Sequence, residues 1–210
     1  LNIGEPISYA RLLPGGTRGI VVSNKANTMQ QKENDLYILD LASADKRILY
    51  SDYGEITEVT MNKQKTYIAF LNKKERTYHV WDLEKKKEIY KRRSSFAQVE
   101  SLKFLEDGSH LMVGGAVGLR TRKILVIDIN RNKEVASREF PSWINPQPVG
   151  QMDIGITAKE KGGFKFQSMI WNWKTGSENM LHNFRGIEEG IIFRKRLDKR
   201  RGNIIAGTVD

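Results

Sequence analysis

The side chains of this chain best equipped for chemistry are its cations. Its 35 Lys and Arg exceed its 25 Asp and Glu, for a formal net charge of +10. Several fall in tight groups: Lys73, Lys74 and Arg76, then Arg92 and Arg93, then Arg120, Arg122 and Lys123, with Arg138 farther on. Grouped ammonium and guanidinium ions attract carboxylates and phosphates, Lys as a point charge and Arg as a two-pronged donor. Such a balance suits an acidic or phosphorylated protein partner, or a nucleic acid. Lys-rich turns also serve solubility and blunt strand edges, so charge by itself does not define a site.

Catalysis has less to work with. There is no Cys, which excludes disulfides, thiolate metal sites and a cysteine nucleophile. The three His are far apart in sequence, so no His-rich metal site is expected. Ser109 and Asp107 sit beside His110, but in one surface turn, where nothing orients a base against a nucleophile. The run Gly114-Gly115-Ala116-Val117-Gly118 follows a strand but lacks the helix and the Lys-Ser/Thr pair of a phosphate loop. It reads as a flexible loop. The expectation is a chain with no catalytic residues, no cofactor and no metal, any activity lying elsewhere in a larger protein.

The elements that must position the cations repeat. Leu36–Leu41 (LYILDL), Tyr78–Leu83 (YHVWDL), Ile124–Ile129 (ILVIDI) and Met169–Lys174 (MIWNWK) are apolar strands with a polar residue near the end. That polar residue is Asp40, Asp82, Asp128 or Asn172, at intervals of 42, 46 and 44. A second set of strand centres, Val21, Ile68, Met112, Thr157 and Ile205, keeps the period at 47, 44, 45 and 48. Two positions holding one period of forty-odd residues mark a blade repeat. The predicted fold is all-β, a β-propeller of four-stranded antiparallel blades at 7–52, 56–93, 99–140 and 149–184, with an incomplete fifth at 189–210. Asp107-Gly108 between apolar runs predicts a hairpin. Three prolines and Trp143 in 141–148 predict a loop, with the first strand of blade four at 149–153. No segment sustains helical apolar spacing, and none approaches a membrane-spanning length. The repeated Asp and Asn are expected to bond the turns that follow them, and Trp81 and Trp171 to pack in the core.

The endings Val80-Trp81-Asp82-Leu83 and Ile170-Trp171-Asn172-Trp173-Lys174-Thr175-Gly176 resemble those of the WD-repeat family, while Leu39-Asp40-Leu41 and Ile127-Asp128-Ile129 keep the Asp without the Trp. The likeness covers almost the whole chain. The family's Gly-His dipeptide is missing from every unit, so its buried His–Asp network is not carried over. The resemblance implies a divergent WD-like propeller or a related seven- or eight-bladed bacterial type. Four blades and half of a fifth do not close a ring, so the expectation is a segment of a seven- or eight-bladed propeller completed by further chain or by a partner, with a five-bladed ring of deficient last blade as the alternative. The start at Leu1, without an initiator Met, reads as a processed chain or an excerpt. No signal peptide is read at that start, which slightly favours the cytoplasm without fixing a compartment.

In such a propeller, the loops joining second to third strands share a face with the loops between blades. Lys73, Lys74, Arg76, Arg120, Arg122 and Lys123 belong to the first kind, as do Lys25, Lys32, Lys159, Lys161 and Lys165. Arg92, Arg93, Arg138 and Arg185 are assigned to the second kind. The opposite face has Lys85–Lys87 and the basic stretch Arg194–Arg201. The expected function is a non-catalytic interaction scaffold presenting a basic rim to an acidic or phosphorylated protein. Two alternatives stand beside it: RNA contact within a ribonucleoprotein, with Tyr53, Phe96 and Trp143 for base stacking, and a sensor or gating propeller of a larger enzyme or signalling protein.

Overall fold

A computed structural model describes residues 6–23, 34–159, 165–185, 191–192 and 207–208. Among these every regular element is a strand. The chain divides into two compact units, Leu1–Ser94 and Ser95–Asp210.

The first unit holds two blades. Blade one is β1 (Ile7–Leu12), β2 (Arg18–Ser23), β3 (Asn34–Asp40) and β4 (Lys46–Asp52), and blade two is β5 (Ile56–Met61), β6 (Tyr67–Asn72), β7 (Thr77–Asp82) and β8 (Lys87–Arg93). Each sheet is an antiparallel meander in chain order. Composition explains the layering. The middle strands β2 (RGIVVS) and β6 (YIAFLN) are almost wholly buried, as β-branched and apolar runs should be when both faces are covered. The outer strands β4 (KRILYSD) and β8 (KEIYKRR) carry charge and stay largely exposed. Ile20, Val22, Leu36 and Ile38 of blade one pack with Ile56, Ile68 and Phe70 of blade two, and Trp81 lies against this cluster.

The second unit repeats the plan. Blade three is β9 (Gln98–Phe104), β10 (His110–Ala116), β11 (Arg122–Asp128) and β12 (Lys133–Phe140), and blade four is β13 (Ile144–Pro148), β14 (Asp153–Lys159), β15 (Lys165–Asn172) and β16 (Glu178–Arg185). Its core joins Leu105, Met112, Ile124 and Val126 to Ile154, Ile156, Met169 and the buried Trp171. A short pair, β17 (Ile191–Ile192) and β18 (Gly207–Thr208), follows, inside the 189–210 segment predicted as an incomplete fifth blade. The basic stretch 194–201 lies outside the described residues.

Every third strand ends the same way. Asp40 Oδ1 accepts from the N–H groups of Ala42 (2.9 Å) and Ser43 (3.1 Å). Asp82 accepts from Glu84 (3.0 Å) and Lys85 (2.8 Å), and Asp128 from Asn130 and Arg131 (both 3.0 Å). Asn172 accepts from Lys174 (3.2 Å) and Thr175 (3.0 Å). Four residues after each acceptor the backbone turns left-handed, at Ala44 (φ 61°), Lys86 (53°), Asn132 (52°) and Gly176 (77°). The connection is four residues long, and its last, left-handed residue reverses the strand with the twist of the sheet. Hydrogen bonds from Ser43 and Ala42 hold the Asp40 carboxyl below its ordinary value. Burial pushes the Asp82 carboxyl up, but the hydrogen bonds and charge of Lys85 outweigh it and the net shift is downward. These side chains are scaffold, as their place ahead of a turn implies.

Two expectations are corrected. Gly114 and Gly115 are not in a loop: both lie inside β10 and are buried. A Cβ on Gly114 would stand 2.9 Å from Pro146 Cγ of blade four, and one on Gly115 would stand 2.2 Å from the Gln98 carbonyl oxygen. The glycines let neighbouring chain come close, and the β9–β10 register shifts there. The proline-rich stretch is likewise a strand. Ile144–Pro148 forms β13, and Val149–Met152 is the turn after it. Prolines lacking N–H groups are tolerated there because β13 is an edge strand, paired only with β14.

Two substitutions test this scaffold. Asp82→Ala removes both turn bonds and is expected to cost about 1–2 kcal/mol in urea unfolding, whereas Asp82→Asn keeps an acceptor, as Asn172 does, and should cost less than half of that. Gly115→Ala drives a methyl into rigid backbone and should cost about 1–3 kcal/mol.

Candidate interaction surface

The cations of blade two gather at one end because two tight devices hold the chain there. The β6–β7 turn is the four residues Lys73–Arg76, with Arg76 left-handed at φ 56°. Buried Asn72 braces it: its Oδ1 accepts from Glu75 N–H (3.0 Å) and its Nδ2 donates to the Tyr50 hydroxyl (2.8 Å). Gly54 lies against that amide so closely that a Cβ would be 2.1 Å from Asn72 Oδ1. Arg93 and Arg92 face Thr77 and Tyr78 across the β7–β8 ladder, and Ser94 N–H donates to the Arg76 carbonyl (2.6 Å). The register therefore brings the turn and the end of β8 together.

All five cations, Lys73, Lys74, Arg76, Arg92 and Arg93, are exposed. Lys73 pairs with Glu55 at 2.9 Å, and Lys74 lies over the ring of half-exposed Tyr53 at 5.9 Å. Glu75 pairs with Lys91 at 3.8 Å. Both ion pairs are solvated and so are worth little in stability. They leave this end of blade two with more positive than negative charge.

In the second unit the predicted cations are differently placed. Arg120 is exposed on the loop between β10 and β11. Arg122 and Lys123 open β11 and are partly buried, and Arg122 Nε is 3.0 Å from Glu100. Arg138 Nη2 donates to Glu178 at 2.7 Å and its guanidinium covers the Phe140 ring at 4.9 Å. Two of these four cations are thus already engaged within the fold. Arg92, Arg93 and Arg138 were expected in loops between blades but lie in the outer strands β8 and β12. An outer strand has a solvated side, so charge does not end it. Lys25, Lys32 and Lys161, together with the side chains of Lys165 and Arg185, lie outside the described residues. Among the stacking candidates, Tyr53 and Trp143 are each 44% exposed, whereas Phe96 is fully buried and cannot meet a base.

Beneath the blade-two cations lies a group that spacing did not disclose. His79 is fully buried, stacked on Phe70 at 4.9 Å and 6° and tilted against Tyr50 at 4.8 Å. Its Nδ1 donates to Glu88 at 2.6 Å, while Nε2 has no hydrogen-bond partner among the described residues. Burial pushes the His79 pKa below 6.5 in spite of Glu88 and Glu75, with Lys91 adding to the depression. Burial raises the Tyr50 hydroxyl to about 12. In blade three, His110 Nδ1 meets Asp107 at 2.5 Å and Nε2 lies 3.8 Å from Asp128, with the ring against Trp173 at 4.7 Å. Ser109 Oγ is 3.3 Å from that same Nδ1, so His110 presents no free base to it. Among the described residues no cluster of His, Asp and Glu could hold a metal ion, and no helix is long and apolar enough to cross a membrane.

These sheets define a β-propeller, built of four-stranded antiparallel blades like those of WD40-repeat structures. The β-propeller domain of the Trilobed protease from Pyrococcus furiosus matches 90% of this chain at 18% identity, with a TM-score of 0.64. The uncomplexed acylaminoacyl peptidase of Pyrococcus horikoshii matches 90% at 17% identity and 0.67, and the WD40 repeats of RRP9 match 89% at 12% and 0.59. The chain spans 59% of the first of these, 34% of the second and 53% of the third. No protein-family model matches it, and no curated protein does.

The buried imidazole makes stability depend on pH. Because the folded pKa lies below the unfolded one, the unfolded chain binds the extra proton first. His79 therefore leaves stability whole above pH 6.5 and removes it progressively as pH falls below that value. Urea midpoints measured between about pH 8 and about pH 5 should fall for the wild type and fall less for His79→Gln.

Proposed function

We propose that this chain is a non-catalytic protein-interaction module whose basic blade end docks an acidic or phosphorylated protein. The observation that carries the reading is the exposure of Lys73, Lys74, Arg76, Arg92 and Arg93 at one end of one blade. They sit on a braced turn and a paired strand, so little ordering is needed when a partner arrives. Opposed charge of this kind sets encounter rate and partner choice. The second unit, taken by itself, has exposed Arg120, while its Arg122 and Arg138 are held by Glu100 and Glu178. The likeness to WD40-repeat structures agrees with this use without specifying a partner.

A second reading is supported by the neighbours that are peptidases or a protease propeller. In it the propeller belongs to a larger enzyme and gates or positions substrate, and any catalytic residues lie outside these 210.

Binding of a polyglutamate peptide and a phosphoserine peptide tests the first reading. Affinity should fall about tenfold or more between low and physiological salt, and the K73Q/K74Q/R92Q/R93Q variant should lose most of it. Salt-insensitive binding, or an unchanged variant, would remove the basic end from the reading. Tighter retention of single-stranded RNA at low salt would transfer it to nucleic acid, with Tyr53 beneath Lys74 as the stacking platform.

A further inference from the structure

The other end of the first unit contains a cavity of about 310 Å³ where the β1–β2, β5–β6 and β7–β8 turns meet. Buried Leu13, Ile38 and Leu83 supply apolar lining, and Arg18, Lys65 and Lys86 supply cationic lining. Lys65 Nζ donates to the Leu12 carbonyl at 3.1 Å, which holds that side chain across the β1–β2 hairpin. Lys86 occupies the left-handed position of the β7–β8 turn, so its backbone is set by the hairpin rule common to all four blades.

What makes the cavity selective is the use already made of nearby acids. Asp82 accepts from Glu84 and Lys85 N–H and lies 3.2 Å from Lys85 Nζ. Asp40, opposite Arg18 in the β2–β3 register, accepts from Ala42 and Ser43. Both oxygens of Asp82 are taken within its own turn, whereas Asp40 gives one oxygen to its turn and its charge also acts on Arg18. On the lining itself, Glu84 is the acid facing three cations.

We propose that this cavity binds a carboxylate carried on a short aliphatic stem, the stem on Leu13, Ile38 and Leu83 and the anion among Arg18, Lys65 and Lys86. A few charged groups placed around an apolar floor fix both the orientation and the class of a small ligand. Two sources share this chemistry: a free short-chain carboxylic acid, and the chain end of a peptide with an aliphatic last residue. The site is separate from the basic end of blade two and stands or falls without it.

Methyl-labelled protein of the full 210 residues is titrated with hexanoate and with acetyl-Ala-Leu, each beside its neutral amide, while the methyl resonances of Leu13, Ile38 and Leu83 are followed. At least one acid should shift all three and bind about tenfold or more tighter than its amide, the scale of a hydrogen bond to a charged group. Response to hexanoate alone assigns a free acid, and response to the peptide alone assigns a chain end. The K65Q/K86Q variant should lose the preference for acid over amide while keeping its unfolding midpoint. Amides that bind as tightly as the acids, or acids that leave the three methyls unmoved, overturn the proposal. The acid–amide comparison is made on the unmodified protein, so it decides the matter even where the variant fails to fold.

Discussion

Each blade depends on a short-range bond between a strand and its own turn. Asp40, Asp82, Asp128 and Asn172 each end a third strand and accept two N–H groups from residues two and three places on. That bond fixes the hairpin, the hairpin fixes the register of the fourth strand, and a one-residue slip would turn every apolar side chain to the wrong face. Asn172 shows what the device requires. The shared element is an oxygen acceptor on a short stem, and negative charge is dispensable.

Tightly closed hairpins leave the blades to cohere through their faces. In the first unit Ile20, Val22, Leu36 and Ile38 meet Ile56, Ile68 and Phe70; in the second, Met112, Ile124 and Val126 meet Ile154, Ile156 and Met169. Charge is displaced from these surfaces to the strand ends and outer strands, where it remains solvated. At one end of the first unit Asp40 and Asp82 are used by their own turns, and at the other the cations are exposed beside a turn braced by Asn72.

Much of this was legible in the chain. The period of forty-odd residues, the strand order and the roles of the repeated Asp and Trp follow from local pattern, because alternation and turn chemistry act over a few residues. Blade four is less legible. Pro146 and Pro148 argue against a strand in general, and only their place on a sheet edge makes one acceptable. Gly114 and Gly115 look like loop glycines until Pro146 and Gln98 are seen against them. Local sequence does not separate exposed Arg92 and Arg93 from Arg122 and Arg138, whose acidic partners Glu100 and Glu178 are 22 and 40 positions away.

By itself, then, the sequence determined a repeated four-stranded blade, since hydrophobic period and hairpin signals are properties of neighbours along the chain. Tertiary structure alone decided which cations are exposed and which are neutralised. It alone buried His79 between Phe70 and Tyr50 with Glu88 as partner. It alone gathered three turns around one small cavity. Those outcomes depend on distances between residues far apart in sequence, and only the folded register sets such distances.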